Sequence, residues 1–348
     1  MKQYKRFIIP LLLLVVVVIF LASQRAKQEE IISVSGMTMG TTYQVKIVQP
    51  GDVKLDAITL KRLIDNRLNG IDGMMSTYKQ DSEISQFNLS PTNTWVPVSP
   101  ETFTVIRTGQ QISALSQGAF DMTVGALVNL WGFGPTLTTA ALPPAEKISE
   151  LRDQTGFQKL ILQETPPAVM KASQAVTLDL SAIAKGYAVD AVSELLAQNG
   201  LDRFLVEIGG ELVARGRKTA EQPWMIGVER PQPGQRSVEK LVPLENSAMA
   251  TSGDYRNYFE QDGVRYSHTI DPATGYPITH QLASVTVVAK DCMHADALAT
   301  ALMVMGPDKG MRFAELNQLA TLMLVKQGDQ FTEIESTAFT AFLDSGKL

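Results

Sequence analysis

The sequence predicts an α+β fold, with helices packed on largely antiparallel or mixed sheet, and three patterns lead there. Strand-like stretches follow one another across short turns, as from Phe204 to Arg215 and on to Trp224–Glu229. Regular strand–helix alternation, the mark of a doubly wound parallel sheet, is absent. The 348 residues are 45% hydrophobic and 19% charged, ordinary for a globular body with ample core.

From Thr42 to Val48 the chain alternates, with Tyr43, Val45 and Ile47 on one side, a half-buried strand. Leu60, Leu63, Ile64, Leu68 and Ile71 recur at helical spacing, giving an amphipathic helix over about 55–70. Ser99-Pro100-Glu101 is a helix start: a capping hydroxyl, a first-turn proline and a favourable negative charge. Leu160–Leu162 and Val176–Leu180 read as strands, and a helix from about Lys185 to Gln198 stops at Asn199-Gly200. Phe204–Arg215 and Trp224–Glu229 are strands before the turn Pro231-Gln232-Pro233-Gly234. Val285–Ala289 is a β-branched strand. A helix then runs from roughly Ala295 to Met305 and ends at Gly306-Pro307, and a last hairpin turns at Gln327-Gly328-Asp329.

Lys and Arg number 31 against 36 Asp and Glu, a net charge of -5, which excludes the basic footprint of a nucleic-acid binder. An anionic ligand must then be held by backbone amides or a local cation. Cys292 is the sole cysteine, so no internal disulfide and no zinc or iron–sulfur spacing exists. Lys2, Lys5 and Arg6 precede an apolar run from Phe7 to Ala22, the pattern of a secretory signal or signal anchor. The chain divides into a cytoplasmic basic end at 1–6, the anchor or signal peptide at 7–23, a tether at 24–32 and a body at 33–348. The positive end stays inside and the body is exported.

Four segments stand out chemically. Ser35-Gly36-Met37-Thr38-Met39-Gly40-Thr41-Thr42, small and hydroxylic before a strand, offers close backbone approach to a ligand or is a plain loop. Gly118-Ala119-Phe120-Asp121-Met122-Thr123-Val124-Gly125, followed by Trp131-Gly132-Phe133-Gly134, surrounds one carboxylate with small residues. Asp121 there binds a ligand's ribose or closes an Asx-turn. Asp179-Leu180-Ser181-Ala182-Ile183-Ala184-Lys185-Gly186-Tyr187 is a strand-to-helix junction, where helix N–H groups favour phosphate and Lys185 adds charge. Glu207-Ile208-Gly209-Gly210-Glu211 is expected beside it, its paired glycines marking either ligand room or a bulge. The fourth, Ser267-His268-Thr269-Ile270-Asp271-Pro272-Ala273-Thr274-Gly275-Tyr276-Pro277, carries an imidazole and a carboxylate. Downstream, His294, Asp296 and Thr300 begin a helix. Asp296 and Thr300 share a face, and suit either a hard cation such as Mg²⁺ or a plain cap with a surface hydroxyl.

Together these segments resemble the ApbE family of FAD:protein FMN transferases over nearly all of the body. The resemblance rests on Thr38-Met39-Gly40-Thr41, Ser76-Thr77-Tyr78, Gly118-Ala119-Phe120-Asp121, Ile183-Ala184-Lys185-Gly186-Tyr187, Gly209-Gly210, Thr251-Ser252-Gly253, His268-Thr269-Ile270-Asp271-Pro272 and Ala295-Asp296-Ala297 with Thr300. It implies an ApbE-like, T-fold-like body and an exported, Mg²⁺-dependent enzyme, anchored in the inner membrane and facing the periplasm. The enzyme would split FAD and join FMN by a phosphoester to a threonine or serine of a respiratory flavoprotein subunit, of the sodium-pumping NADH:quinone reductase or Rnf type. It implies a metal held by the carbonyl of Ala184 with Asp296 and Thr300, and FAD contacts at Met39, Tyr78, Ala119, Phe120, Asp121, Ser181, Lys185, Gly209, Gly210 and His268. Many relatives are lipoproteins anchored through an N-terminal cysteine, which this chain lacks.

For the attacking hydroxyl, His268 is the expected general base, since an imidazole titrates near neutrality, and Asp271 is its rival. Tyr78 and Phe120 are expected to pack on flat rings. Two other functions fit the same residues: hydrolysis of FAD to FMN and AMP, and non-catalytic binding of flavin by an exported protein.

Overall fold

One eight-stranded sheet, antiparallel at every pairing, organises the computed structural model, which describes residues 31–49, 55–135, 142–231, 237–253, 258–261, 264–328 and 330–346. The chain opens with strands β1 (Ile31–Thr38) and β2 (Thr41–Val48), then helices α1 (Ala57–Met75) and α2 (Glu83–Leu89). A small sheet of β3 (Val96–Pro97), β4 (Leu160–Gln163) and β5 (Ala168–Lys171) frames helices α3 (Pro100–Leu115), α4 (Gly125–Leu130) and α5 (Ala145–Gln154). Helix α6 (Ala184–Gln198) leads into β6 (Phe204–Ile208) and β7 (Glu211–Arg215). The hairpin β8 (Trp224–Glu229) and β9 (Val238–Leu244) is followed by β10 (Ser247–Gly253) and the short pair β11 (Tyr258–Gln261) and β12 (Val264–Ser267). Strand β13 (Leu282–Ala289), helix α7 (Cys292–Leu316), β14 (Ala320–Gln327), β15 (Gln330–Glu335) and α8 (Thr337–Ser345) complete it.

The strand order is β1-β2-β6-β7-β10-β13-β14-β15. Helices α1, α6 and α7 cover one face and bury the main core with it. The β8–β9 hairpin and α8 cover the other, over Trp224, Leu322, Phe339 and Phe342. A third cluster of Leu127, Trp131, Ile148 and Ile270 ties α4 and α5 to the loop after β12. Helix α1 follows its predicted stripe, burying Leu60, Ile64, Leu68, Ile71 and Met75, with Asp56 accepting the N–H of Thr59 at its start. It runs to Met75, past the expected end near 70. At α3 the expected cap forms, with Ser99 Oγ accepting the N–H of Thr102.

Several elements differ from expectation. Val176–Leu180 is no strand, apart from one bridge from Thr177 to Val124. Phe204–Arg215 is two strands rather than one, folded at Gly209-Gly210. The segment from Ser35 is mostly strand β1, with only Met39 and Gly40 forming the turn. At Gly306 the backbone leaves the helix (φ 75°, ψ 178°), but Pro307 starts a second helical run to Leu316. Strand β1 begins at Ile31, inside the stretch expected to be tether. The predicted anchor and most of the Pro231–Gly234 turn lie outside the described residues. Among these, no helix is long and apolar enough to cross a membrane.

Candidate active site

Two hairpin turns meet at one end of the large sheet. Met39 and Gly40, at φ 46° and 72°, close β1 onto β2, the two-residue turn whose twist suits paired strands. Gly209 and Gly210, at φ 65° and 108°, close β6 onto β7. Gly209 donates its N–H to the carbonyl of Thr42 at 3.0 Å, and a Cβ on Gly209 would lie 2.9 Å from Thr41 Cγ2. The turns therefore abut, and only glycine fits between them. Antiparallel register of Met249 with Leu212 brings the end of β10, Thr251–Gly253, to the same place as Glu211. Helices α6 and α7 both present their first turns there.

Asp296 and Thr300, expected at a cation with the Ala184 carbonyl, lie against the first turn of α6 and the end of β10. Asp296 Oδ2 accepts the N–H of Gly186 at 3.0 Å, so the carboxylate sits against the first turn of α6, which begins at Ala184. Thr300, one turn further along α7, lies 3.2 Å from Ser252 Oγ through its hydroxyl. Lys185 Nζ donates to Glu211 Oε1 at 2.6 Å and stands 3.8 Å from Asp296 Oδ1. Glu207-Gly209-Gly210-Glu211 thus does lie beside the Lys185 segment, as the sequence suggested. Burial works against the charge on Lys185, yet Asp296 and Glu211 raise its pKa above the ordinary lysine value. Burial pushes the carboxyls of Glu211 and Asp296 up, and their mutual repulsion adds to it at Glu211. With both ionised, the two buried carboxylates around one ammonium carry an excess negative charge, and Glu211 Oε2 has no hydrogen-bond partner. That surplus and the oxygen-only donors Asp296, Thr300 and Ala184 fit a hard divalent cation. Among the described residues no group of three His, Cys, Asp or Glu forms a metal cage, so a cation here would rely on carbonyl and hydroxyl oxygens beside the Asp296 carboxylate.

Helix α6 also fixes the start of α7. Asp190 accepts the N–H of Cys292 and of Met293, both at 2.8 Å, satisfying two of the unpaired donors of that helix end. A Cβ on Gly186 would stand 2.4 Å from the carbonyl oxygen of Cys292, so the two helix starts are in backbone contact. His294 is outside the convergence. Its Nδ1 lies 2.6 Å from the N-cap Asp291, whose oxygen also accepts the His294 N–H.

A second group forms where the loop after β12 meets the segment 131–134. Tyr78, 70% exposed, reaches the carbonyl of Phe133 with its hydroxyl at 3.5 Å. The Phe133 ring stands edge-on to His268, centroids 6.3 Å apart. Trp131 pins the loop by donating its indole N–H to the carbonyl of Gly275 at 2.9 Å and stacking on Tyr266. Asp271 is occupied within its own turn, accepting from the Ala273 N–H at 2.9 Å and the Thr274 hydroxyl at 3.1 Å. Asp121 closes an Asx-turn: Oδ1 accepts the N–H and hydroxyl of Thr123, and Oδ2 the N–H of Phe157 at 2.9 Å. Phe120, next to Ala119, is 2% exposed inside the main core, so its ring is not presented for stacking and that expectation is corrected. Ser181 lies in the loop before α6, its N–H donated to Asp179, which in turn donates its own N–H to Met122 O at 2.8 Å. Through that contact the Asp121 segment adjoins the α6 start.

Glu211, Ser252, Asp190 and Phe133 were not among the predicted site residues. Asp190 had a signal: a carboxylate one helical turn after Gly186, among alanines and valines of a buried face.

A profile of the ApbE family matches residues 39–323. The FAD:protein FMN transferase of Vibrio cholerae is 46% identical over 317 residues, covering 91% of this chain and 94% of that protein. The solved flavin transferase ApbE from Vibrio cholerae superposes with a TM-score of 0.83 at 44% identity, covering 90% of this chain and 100% of that one. The apo flavinyl transferase ApbE of Pseudomonas stutzeri gives a TM-score of 0.83 at 43% identity, covering 92% and 98%. With a body of the same architecture and a family match that runs from the Met39 turn through to β14, the chain belongs to the ApbE family.

Proposed function

We propose that this chain is a Mg²⁺-dependent FAD:protein FMN transferase, which attaches FMN through a phosphoester to a threonine or serine of an acceptor protein and releases AMP. The observation that carries this reading is the convergence of Asp296, Thr300 and the α6 start around the Lys185–Glu211 pair. A cation bound by Asp296, Thr300 and the Ala184 carbonyl would supply positive charge against the pyrophosphate oxygens. The remaining work falls to the protein. The first turn of α6 turns the positive end of its dipole toward phosphate, while its Ala184 and Gly186 N–H groups are held by Leu180 and Asp296. Tyr78 offers an exposed face for a flat ring. The acceptor hydroxyl oxygen forms a bond to the FMN-side phosphorus while the bond to the bridging oxygen breaks, and AMP leaves with that electron pair. His268, edge-on to the Phe133 ring whose carbonyl Tyr78 reaches, takes the hydroxyl proton, and Asp271, its oxygens accepting bonds in its own turn, is the rival base.

The acceptor is a flavoprotein subunit of the sodium-pumping NADH:quinone reductase or Rnf type. The body faces the periplasm from the inner membrane on the apolar run Phe7–Ala22, a placement supported by the flanking Lys2, Lys5 and Arg6. Incubation of the full-length chain with FAD, Mg²⁺ and such a subunit, read by mass spectrometry, tests the reaction. Covalent FMN on the subunit with stoichiometric AMP supports transfer. FMN and AMP free in solution with an unmodified subunit indicate hydrolysis, and stable FAD with no AMP indicates simple binding.

A further inference from the structure

The outer edge of the large sheet is β1, and its sequence is unusual for an exposed strand. Ile31–Thr38 reads IISVSGMT, with no charge, no proline and an unbroken register to β2. Charge, proline and bulges are the devices that normally keep an edge from pairing with another chain, and β1 has none of them. Among the described residues no strand pairs with that edge.

The hairpin register fixes which groups point outward. A two-residue turn makes Thr38 and Thr41 a hydrogen-bonded pair. Alternation along the ladder then leaves the N–H and C=O of Met37, Ser35 and Ser33 directed away from β2. The same alternation points the Thr42 carbonyl toward β6, where Gly209 binds it. Ile31 and Met37 are 40% and 72% exposed.

A cleft of about 460 Å³ runs beside this edge, with Ser33 and Ser35 on the strand side and Ile58, Lys61 and Arg62 of α1 on the other. A groove between an edge strand and a helix is the setting in which an extended peptide adds as an extra strand. Lys61 is paired with Asp65 at 2.7 Å. Among the described residues exposed Arg62 has no carboxylate partner, so the groove is ready for an acidic segment. The strand leads directly to the Met39–Gly40 turn that abuts Gly209.

We propose that the free edge of β1 and the cleft beside α1 dock the acceptor polypeptide as an added strand, its acidic side chains toward Arg62 and its hydroxyl residue delivered past the Met39 turn. This rests on the transfer reading above. A second copy of the chain would bring its own Lys61 and Arg62 beside an identical uncharged strand and offers no charge complement.

The test uses the full-length chain with FAD, Mg²⁺ and the acceptor subunit, comparing wild type with Ser33→Pro and Arg62→Glu. Proline at 33 removes an outward N–H and leaves the β1–β2 bonds intact, because Ser33 faces Lys46 at a non-bonded position. Arg62 is exposed and outside the cores, so its variant tests the groove even if proline weakens the hairpin. The expected result is a tenfold or greater rise in acceptor KM for each variant, with FAD Kd and Tm unchanged. Unchanged acceptor KM in both folded variants overturns the proposal. So does a dimer-to-monomer change in Ser33→Pro by analytical ultracentrifugation, which gives the edge to a second copy. A wild-type chain that binds FAD and modifies no acceptor overturns the transfer reading, and the groove falls with it.

Discussion

Gly186 donates its backbone N–H to Asp296 Oδ2 at 3.0 Å while its missing side chain lets the Cys292 carbonyl approach, so one residue both aims the carboxylate and seats the helix that carries it. Gly186→Ala places a methyl 2.4 Å from that carbonyl oxygen, with backbone on both sides and no flexible side chain to yield. Forced separation of packed elements costs about 1–3 kcal/mol. The expected outcome is a lowered Tm by thermal denaturation and a transfer rate reduced by more than the loss of folded protein explains.

Asp190 should act on the site without touching it. Its two bonds to the Cys292 and Met293 N–H groups hold the first turn of α7, and Asp296 and Thr300 follow along the same helix. Burial pushes the Asp190 carboxyl up to about 7, so each of its two bonds contributes the ordinary hydrogen-bond value of about 0.5–1.5 kcal/mol. Asp190→Ala is expected to lose about that much stability for each bond and to raise the Mg²⁺ concentration for half-maximal transfer. Asp190→Asn, which keeps one carbonyl acceptor, should fall between. A Mg²⁺ titration of each variant beside its denaturant midpoint checks this.

The sequence revealed elements whose burial repeats locally and hid those decided by distant partners. The stripe Leu60, Ile64, Leu68, Ile71 foretold α1, and Ser99-Pro100-Glu101 foretold the start of α3. Val176, Leu178 and Leu180 are all buried, the alternation of a strand. Yet the segment bonds to Met122 and Gly125 through turns rather than in a ladder. The glycine pair at 209–210 fitted ligand room or a bulge locally, and only the pairing of β6 with β7 makes it a turn. At the site, Asp296 and Thr300 were legible because one helix holds both. The Lys185–Glu211 pair joins residues 26 apart in sequence, and no spacing rule reports that.

Tyr43 offers a test of pH dependence away from the site. Its buried hydroxyl donates to Asp65 Oδ1 at 2.5 Å, and Lys61 donates to both, at 3.3 Å to the hydroxyl and 2.7 Å to Asp65 Oδ2. Burial pushes the Asp65 carboxyl up, but the bonds from Lys61 and Tyr43 outweigh it and hold the group below the ordinary 3.8. A depressed folded-state pKa contributes stability above the unfolded value that is lost as pH falls through the folded one. Tyr43→Phe should cost about 1.5–3 kcal/mol near neutral pH. The gap to wild type should shrink as pH falls below about 4, which denaturant melts at several pH values would show.

Tyr78 is exposed and outside the cores, so its loss should leave the fold unchanged. An aromatic pair contributes about 0.5–1.5 kcal/mol beyond burial, and removing the ring also removes apolar contact. Tyr78→Ala is expected to raise FAD Kd by roughly three- to tenfold with an unaltered Tm, whereas Tyr78→Phe should bind FAD almost as wild type. Fluorescence titration of FAD distinguishes them. Equal affinity in all three would remove Tyr78 from the flavin site.

His268 and Asp271 are separated by their partners more than by their positions. His268 is half-buried at the end of the loop pinned by Trp131, edge-on to Phe133. Asp271 accepts bonds from the Ala273 N–H and the Thr274 hydroxyl, and its carbonyl accepts the Gly275 N–H at 2.8 Å. A positioned base contributes roughly 10²–10⁴-fold to rate. His268→Gln should therefore lower kcat for transfer by that order while FAD still binds, and flatten the acid limb of the pH–rate profile. Asp271→Asn should lower Tm through its broken turn and leave the acid limb in place. If Asp271→Asn instead abolishes the limb and His268→Gln keeps it, the proton goes to the carboxylate and the turn serves to hold the base.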